Sequence, residues 1–129
     1  MPLIRFDILE GRTDAEINSM LDATHRAVLT AYQVPQRDRY QIVNEHKPSR
    51  FIVEDTGLGI NRTSKVVFIT VVTRPRSEES KQVFYTELTR ELREHCHIEP
   101  SDVVVSIVTN SDADWSFGHG VAQFLTGEL

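Results

Sequence analysis

Arg74-Pro75-Arg76 is the stretch of this sequence with the most chemistry in it. Pro75 fixes its own φ and biases Arg74 towards extended backbone. In extended chain, residues two apart point to the same side, so Arg74 and Arg76 are expected to project together. A helix pattern begins at once at Ser77, which sets the pair beside a helix N-terminus. Two guanidiniums and free helix N–H groups make a site for a carboxylate or phosphate. The alternative is that each arginine pairs with a local acid such as Glu78 or Glu79, and spacing alone leaves both open.

Pro2 is the second candidate. Initiator methionine before proline is commonly removed, and removal would expose a secondary amine at the end of a strand. An ordinary α-amino group titrates near ~7.7–8.0, close enough to neutrality to act as acid or base. Read blandly, Pro2 is simply a second residue. Asp38 opens the second strand pattern, and in a strand-helix-strand unit the two strands start at the same end of the sheet. Asp38 and Pro2 are therefore expected neighbours. A carboxylate there would raise the amine's pKa, and the two arginines would lower it. Asp102 has the same local setting as Asp38, so a turn role is the default for both.

The remaining titratable groups offer less. His95-Cys96-His97 lies at a helix end, where adjacent residues fan out, and a favourable macrodipole explains two histidines there without a metal. His25 reads as packing, His46 as a loop residue and Cys96 as buried. His119, between two glycines, could touch a ligand. Thr56-Gly57-Leu58-Gly59-Ile60 has no following helix and no closing Lys-Ser/Thr pair, so it reads as a turn rather than a phosphate loop. No Ser-His-Asp or zinc motif is present, and no metal is expected.

The elements that must position these residues follow from periodicity. Pro2 to Ile8 alternates as a half-buried strand. Thr13 to Glu16 is a capping box, opening a helix to about Tyr32 with Ile17, Met20, Leu21, Thr24, Ala27, Val28 and Ala31 inward. Arg39 to Val43 is a second strand and Phe51 to Glu54 a short one. Val66 to Thr73 is unbroken apolar or β-branched chain, expected to be a central strand buried on both faces. A helix follows from about Ser77 to His95, with Val83, Phe84, Leu88, Leu92 and His95 inward. Val103 to Val108 is the last strand.

The two halves repeat with an offset of 64 positions: Arg12 with Arg76, Met20 with Phe84, Val28 with Leu92, Asp38 with Asp102 and Val43 with Ile107. The expected fold is α/β (α+β): a duplicated β-α-β unit in one domain, 1–129, with halves of about 2–63 and 64–109 and a tail, 110–129. It should form a four-stranded, mostly parallel or mixed sheet with two helices on one face. The other face is too apolar for water, and self-association is the simplest cover. The tail carries Trp115, Phe117 and Phe124 and is expected to pack as short ribbons, with a pocket wall as a second reading.

Composition bounds the function. The chain has 129 residues, 26% charged and 40% hydrophobic, with a net charge of −5 and no basic run, which argues against nucleic acid and anionic membranes. One cysteine fits a reducing cytoplasm. No apolar run approaches the ~20 residues of a membrane span, and the start lacks the pattern of a signal peptide.

Taken together, Met1-Pro2, the duplicated unit and the paired arginines resemble the tautomerase superfamily. Asp38-Arg39-Tyr40-Gln41, Glu54 to Gly59, Arg74-Pro75-Arg76, Asp114 to Gly118 and Gln123 to Gly127 look like the malonate semialdehyde decarboxylase branch. The resemblance covers essentially the whole chain. It implies that Pro2 is the catalytic amine, that Asp38 assists it, and that Arg74 and Arg76 hold a substrate carboxylate. It also implies that Trp115, Phe117 and Phe124 line the pocket, and that the protein is a homotrimer with no cofactor. The expected activity is decarboxylation of malonate semialdehyde. The alternatives are keto–enol tautomerisation or hydration of small unsaturated acids, and a non-catalytic trimeric binder of small acids.

Overall fold

The computed structural model describes residues 1–129. In chain order it has β1 (Leu3–Leu9), α1 (Asp14–Tyr32), β2 (Tyr40–His46), β3 (Val67–Thr73), α2 (Glu78–Cys96), β4 (Val103–Thr109) and the short α3 (Gln123–Thr126). The sheet order is β2-β1-β3-β4, with β1/β2 and β3/β4 parallel and the central pair β1/β3 antiparallel. Each half is thus a β-α-β unit, and the two meet through their first strands.

The helices start and stop where local chemistry dictates. Thr13 accepts from the Glu16 N–H and Glu16 reaches back, closing the capping box of α1; Ser77 accepts from the Ser80 N–H at the start of α2. Both helices end on a residue in the left-handed region, Gln33 (φ 51°) and His97 (φ 56°), 64 positions apart as the repeat requires. Between helices and sheet lies one core, in which Phe6, Ile8, Met20, Ile69, Phe84, Leu88 and Leu92 are fully buried. Removing a ring such as Phe84 from it would cost about 3–5 kcal/mol.

Several expectations are corrected. β3 is buried on one face only: Val67, Ile69, Val71 and Thr73 point under the helices, whereas Phe68, Thr70 and Val72 remain half-exposed. Val83 and His95 are exposed; the polar Glu91 is buried instead, because it lies against α1, where Arg26 Nε donates to it at 2.8 Å. Phe51 to Glu54 is not a strand. It pairs with no neighbour, and Ile52 is 82% exposed. β2 runs on to His46, which is a strand residue rather than a loop residue; it bonds Asp7 at 2.7 Å and stacks on Phe51. Cys96 is half-buried. The tail forms helical turns, at Asp112–Asp114 and in α3, rather than ribbons. No helix is long and apolar enough to cross a membrane.

Candidate active site

The repeat supplies an internal control for Asp38. Asp38 and Asp102 both follow a proline turn, with backbone N–H bonds to Pro35 O (2.9 Å) and Glu99 O (2.8 Å). There the likeness ends. Asp102 accepts from the Thr63 N–H at 2.7 Å and from the Thr63 hydroxyl, so its carboxylate is saturated. Asp38 is equally buried, yet neither of its oxygens has a hydrogen-bond partner. The difference lies in how each first strand is entered. The segment into β3 brings Thr63 to Asp102; β1 brings the amino terminus, and the Met1 nitrogen stands 3.8 Å from Asp38 Oδ2. The turn role holds for Asp102 and leaves the Asp38 carboxylate unexplained.

Pro2 is buried and shares a narrow cleft with Asp38, Ile4, His25, Val28 and Tyr40. Its nitrogen is an amide while Met1 is attached. The Met1 amine is lowered from its ordinary 8.0 to about 6, first by burial and then by Arg76; Asp38 pulls it up, and Arg74 adds to the lowering. Burial in turn raises Asp38, against the opposing pull of the amine, Arg76, Arg74 and His25. His25 is held by a 2.8 Å bond between its Nε2 and Gln36 O, which fits its packing role.

The two arginines do converge on this end, and neither bonds Glu78 or Glu79. Arg74 Nη1 donates to Asp112 at 3.1 Å, and its guanidinium lies 3.8 Å from the centre of the Phe124 ring. Arg76 Nε donates to Thr73 Oγ1 at 3.1 Å, and its guanidinium lies 4.8 Å from the Tyr32 ring centre. Burial lowers the Arg76 pKa, and the neighbouring Arg74 lowers it further. The tail adds an aromatic wall. Phe117 stacks on Trp115 (5.5 Å) and Tyr40 (5.8 Å) and meets Phe124 edge-on (5.4 Å). Trp115 is fixed by its Nε1 bond to Asn110 (2.8 Å), and the Phe117 N–H by Gln123 (2.9 Å). His119 sits exposed on a turn at φ 60°.

Five buried side-chain polar atoms lack a hydrogen-bond partner: Tyr32 Oη, Asp38 Oδ1 and Oδ2, Arg74 Nε and Arg76 Nη2. All belong to this one cluster. Each such atom costs about 1–3 kcal/mol, and folded proteins keep few. The set also divides by kind. The two Asp38 oxygens are acceptors beside an amine; the other three atoms can donate. A ligand with an anionic oxygen would complete the donors while the amine completes Asp38.

A cavity of ≈ 590 Å³, roomier than this cleft, lies at the opposite end around Arg12, Lys65, His95 and Cys96, where the repeat places the counterpart of this site. There Arg12 donates to Lys65 O at 2.6 Å and Asp102 is closed by Thr63. That end has room, and Glu10 and Lys65 line it, but the acid equivalent to Asp38 is already bonded there and the chain's terminal amine does not reach it. No three His, Cys, Asp or Glu side chains converge as a metal-binding group.

Residues 38–118 match a family model described as tautomerase enzyme, and residues 2–61 match a second model so described. Over 129 residues, 100% of both chains, the sequence is 53% identical to "Probable tautomerase YrdN" of Bacillus subtilis (strain 168). The chain belongs to the tautomerase family. Its fold matches a solved malonate semialdehyde decarboxylase, described with decarboxylase and hydratase activities, at a TM-score of 0.97 and 57% identity over 98% of both chains. It also matches FG41 malonate semialdehyde decarboxylase inhibited by 3-bromopropiolate, at a TM-score of 0.94 and 41% identity over 98% of this chain and 97% of that one.

Within this tautomerase-family fold, Tyr32, Tyr40 and Asp112 join the site without having been singled out from sequence. Tyr32 did leave a trace. Its repeat mate is Cys96, so equivalent helix ends carry a large phenol in one half and a small thiol in the other.

Proposed function

We propose that the chain, after loss of Met1, decarboxylates malonate semialdehyde or a closely related 3-oxo acid. The observation that carries this reading is the cluster of unpartnered atoms, with donors on Arg74 and Arg76 at one side and the Asp38 acceptors beside the amine at the other. The guanidiniums hold the substrate carboxylate and orient the breaking bond across the carbonyl plane. The Pro2 ammonium polarises the aldehyde oxygen, or Pro2 condenses with the aldehyde to an iminium, releasing water. The carbon–carbon bond then breaks, carbon dioxide leaves, and its electron pair flows into the carbonyl or iminium. Protonation at carbon, and hydrolysis where an iminium formed, release acetaldehyde. Asp38 holds positive charge on the amine. Trp115, Phe117 and Phe124 form an apolar wall that disfavours the carboxylate's charge and so favours its loss. Tight ion pairing alone would stabilise the ground state.

One observation favours a second reading, keto–enol tautomerisation. Burial and Arg76 lower the Met1 amine to about 6, and the same two influences acting on a Pro2 amine would favour its neutral, basic form. A base there moves a proton between carbon and oxygen without loss of carbon dioxide. We further propose a homotrimer, in which the half-exposed sheet face carrying Leu3, Phe68 and Val72 is covered by neighbouring copies.

Mass spectrometry of native protein followed by incubation with malonate semialdehyde and with enol-phenylpyruvate tests the proposal. A chain starting at Pro2 that consumes the semialdehyde, and a Pro2→Ala variant that does not, is the expected result. Ketonisation of phenylpyruvate alone would move the assignment to the second reading. Retained Met1 with neither substrate consumed would leave a binding protein.

A further inference from the structure

We infer that Tyr32 is a substrate-binding residue, its phenol O–H donating to the carboxylate oxygen that Arg76 Nη2 also holds. The inference rests on the carboxylate reading of the site and adds a third donor to it. Tyr32 closes α1, two turns beyond His25, and it is only 7% exposed. Its ring stacks on Phe84 at 5.3 Å, and the Arg76 guanidinium carbon lies 4.8 Å from its centre. Ring packing is therefore accounted for; the hydroxyl is not. It is buried without a partner, as is Arg76 Nη2, and the two form no bond with each other.

A buried phenol without a partner is costly, and phenylalanine would fill the same space without that cost. Arg76 Nη2 can only donate and the phenol O–H is free to donate, so a single acceptor can serve both. One anionic oxygen beside Arg76 supplies both. Burial pushes the Tyr32 pKa up to about 12, so the hydroxyl keeps its proton and remains a donor through the neutral range. A neutral donor also suits the chemistry. It adds a directional bond to the carboxylate without a further positive charge, which would deepen the ground-state ion pair.

Tyr32→Phe separates the hydroxyl from the ring. The probe is propionate, a carboxylate with no carbonyl, read by the fluorescence of Trp115, the one tryptophan in the chain. A hydrogen bond to a charged group corresponds to roughly tenfold or more in affinity, so the variant should bind propionate about tenfold or more weakly than the parent. The melting temperature of the free variant should be equal or higher, because an unsatisfied donor has been deleted. Equal propionate affinity in parent and variant overturns the inference and leaves the carboxylate site standing. A lowered melting temperature of the free variant also overturns it, because the hydroxyl would then have a structural partner. A parent protein that does not bind propionate overturns the carboxylate site itself and this inference with it.

Discussion

Exchanging Arg76 for glutamine removes the largest charge acting on the terminal amine. In the chain that keeps Met1, burial and Arg76 hold this amine at about 6 against an ordinary 8.0, with Asp38 pulling upwards. At pH 7 a group of pKa near 6 is roughly one-tenth protonated, and one of pKa near 8 roughly nine-tenths. Arg76→Gln should raise the midpoint without restoring 8.0, since burial remains. Asp38→Asn should lower it below the parent value. The assay is the pH dependence of amine acylation, followed by mass spectrometry at the N-terminal residue. Stability gives an independent reading with a fixed sign. The folded-state pKa lies below the unfolded one, so the unfolded chain binds more protons between about 6 and 8. The amine therefore adds stability as pH rises through that window, and none of it is present below about 6. Arg76→Gln should narrow the window. A parent amine titrating near 8, or one midpoint shared by the parent and both variants, would show that these groups exert no common field on the amine. That outcome would remove the electrostatic basis for placing acid–base chemistry here.

Other expectations follow from the same geometry. Asp102→Ala strips Thr63 of its acceptor and should cost about 1.5–3 kcal/mol in chemical denaturation, whereas Asp38→Ala breaks no hydrogen bond within the chain and should cost less. Burial raises Asp38 above its ordinary 3.8, so the parent loses stability as pH climbs from 3.8 towards the raised value, and Asp38→Asn should flatten that segment of a melting curve series. Arg74→Met cuts the Asp112 bond and the cation–π contact with Phe124; amide exchange over 112–127 should quicken, and propionate binding should weaken by about tenfold or more. Val72→Asp on the open sheet face should convert the proposed trimer to monomers in sedimentation velocity.

Much of this was readable in the residues because the signals are local. Alternation marked β1, the capping box marked α1, and the apolar run marked β3. The 64-residue offset tied the halves into one sheet. Pro75 placed two guanidiniums beside a helix start, and the unit's topology brought Asp38 to the first strand's entry. The failures are long-range. The sequence around Asp38 and Asp102 gives no way to tell them apart, because Thr63, which saturates Asp102, lies 39 positions away. Phe51 to Glu54 has the composition of a strand but pairs with none of the four, so its backbone stays outside the sheet. Val83 has the spacing of an inward residue, yet packing between α1 and α2 rotates the buried stripe onto Glu91. Tyr32 looked like a helix end; only the stacking of Arg76 over its ring gives it a place in the site.

The most direct measurement is a crystal structure of the chain lacking Met1 with a three-carbon carboxylate bound. Its oxygens should lie within hydrogen-bond distance of Arg76 Nη2 and Arg74 Nε, with the other end of the molecule facing the Pro2 nitrogen beside Asp38. A carboxylate seated instead around Arg12, or a Pro2 nitrogen turned away from Asp38 and both arginines, would contradict the assignment.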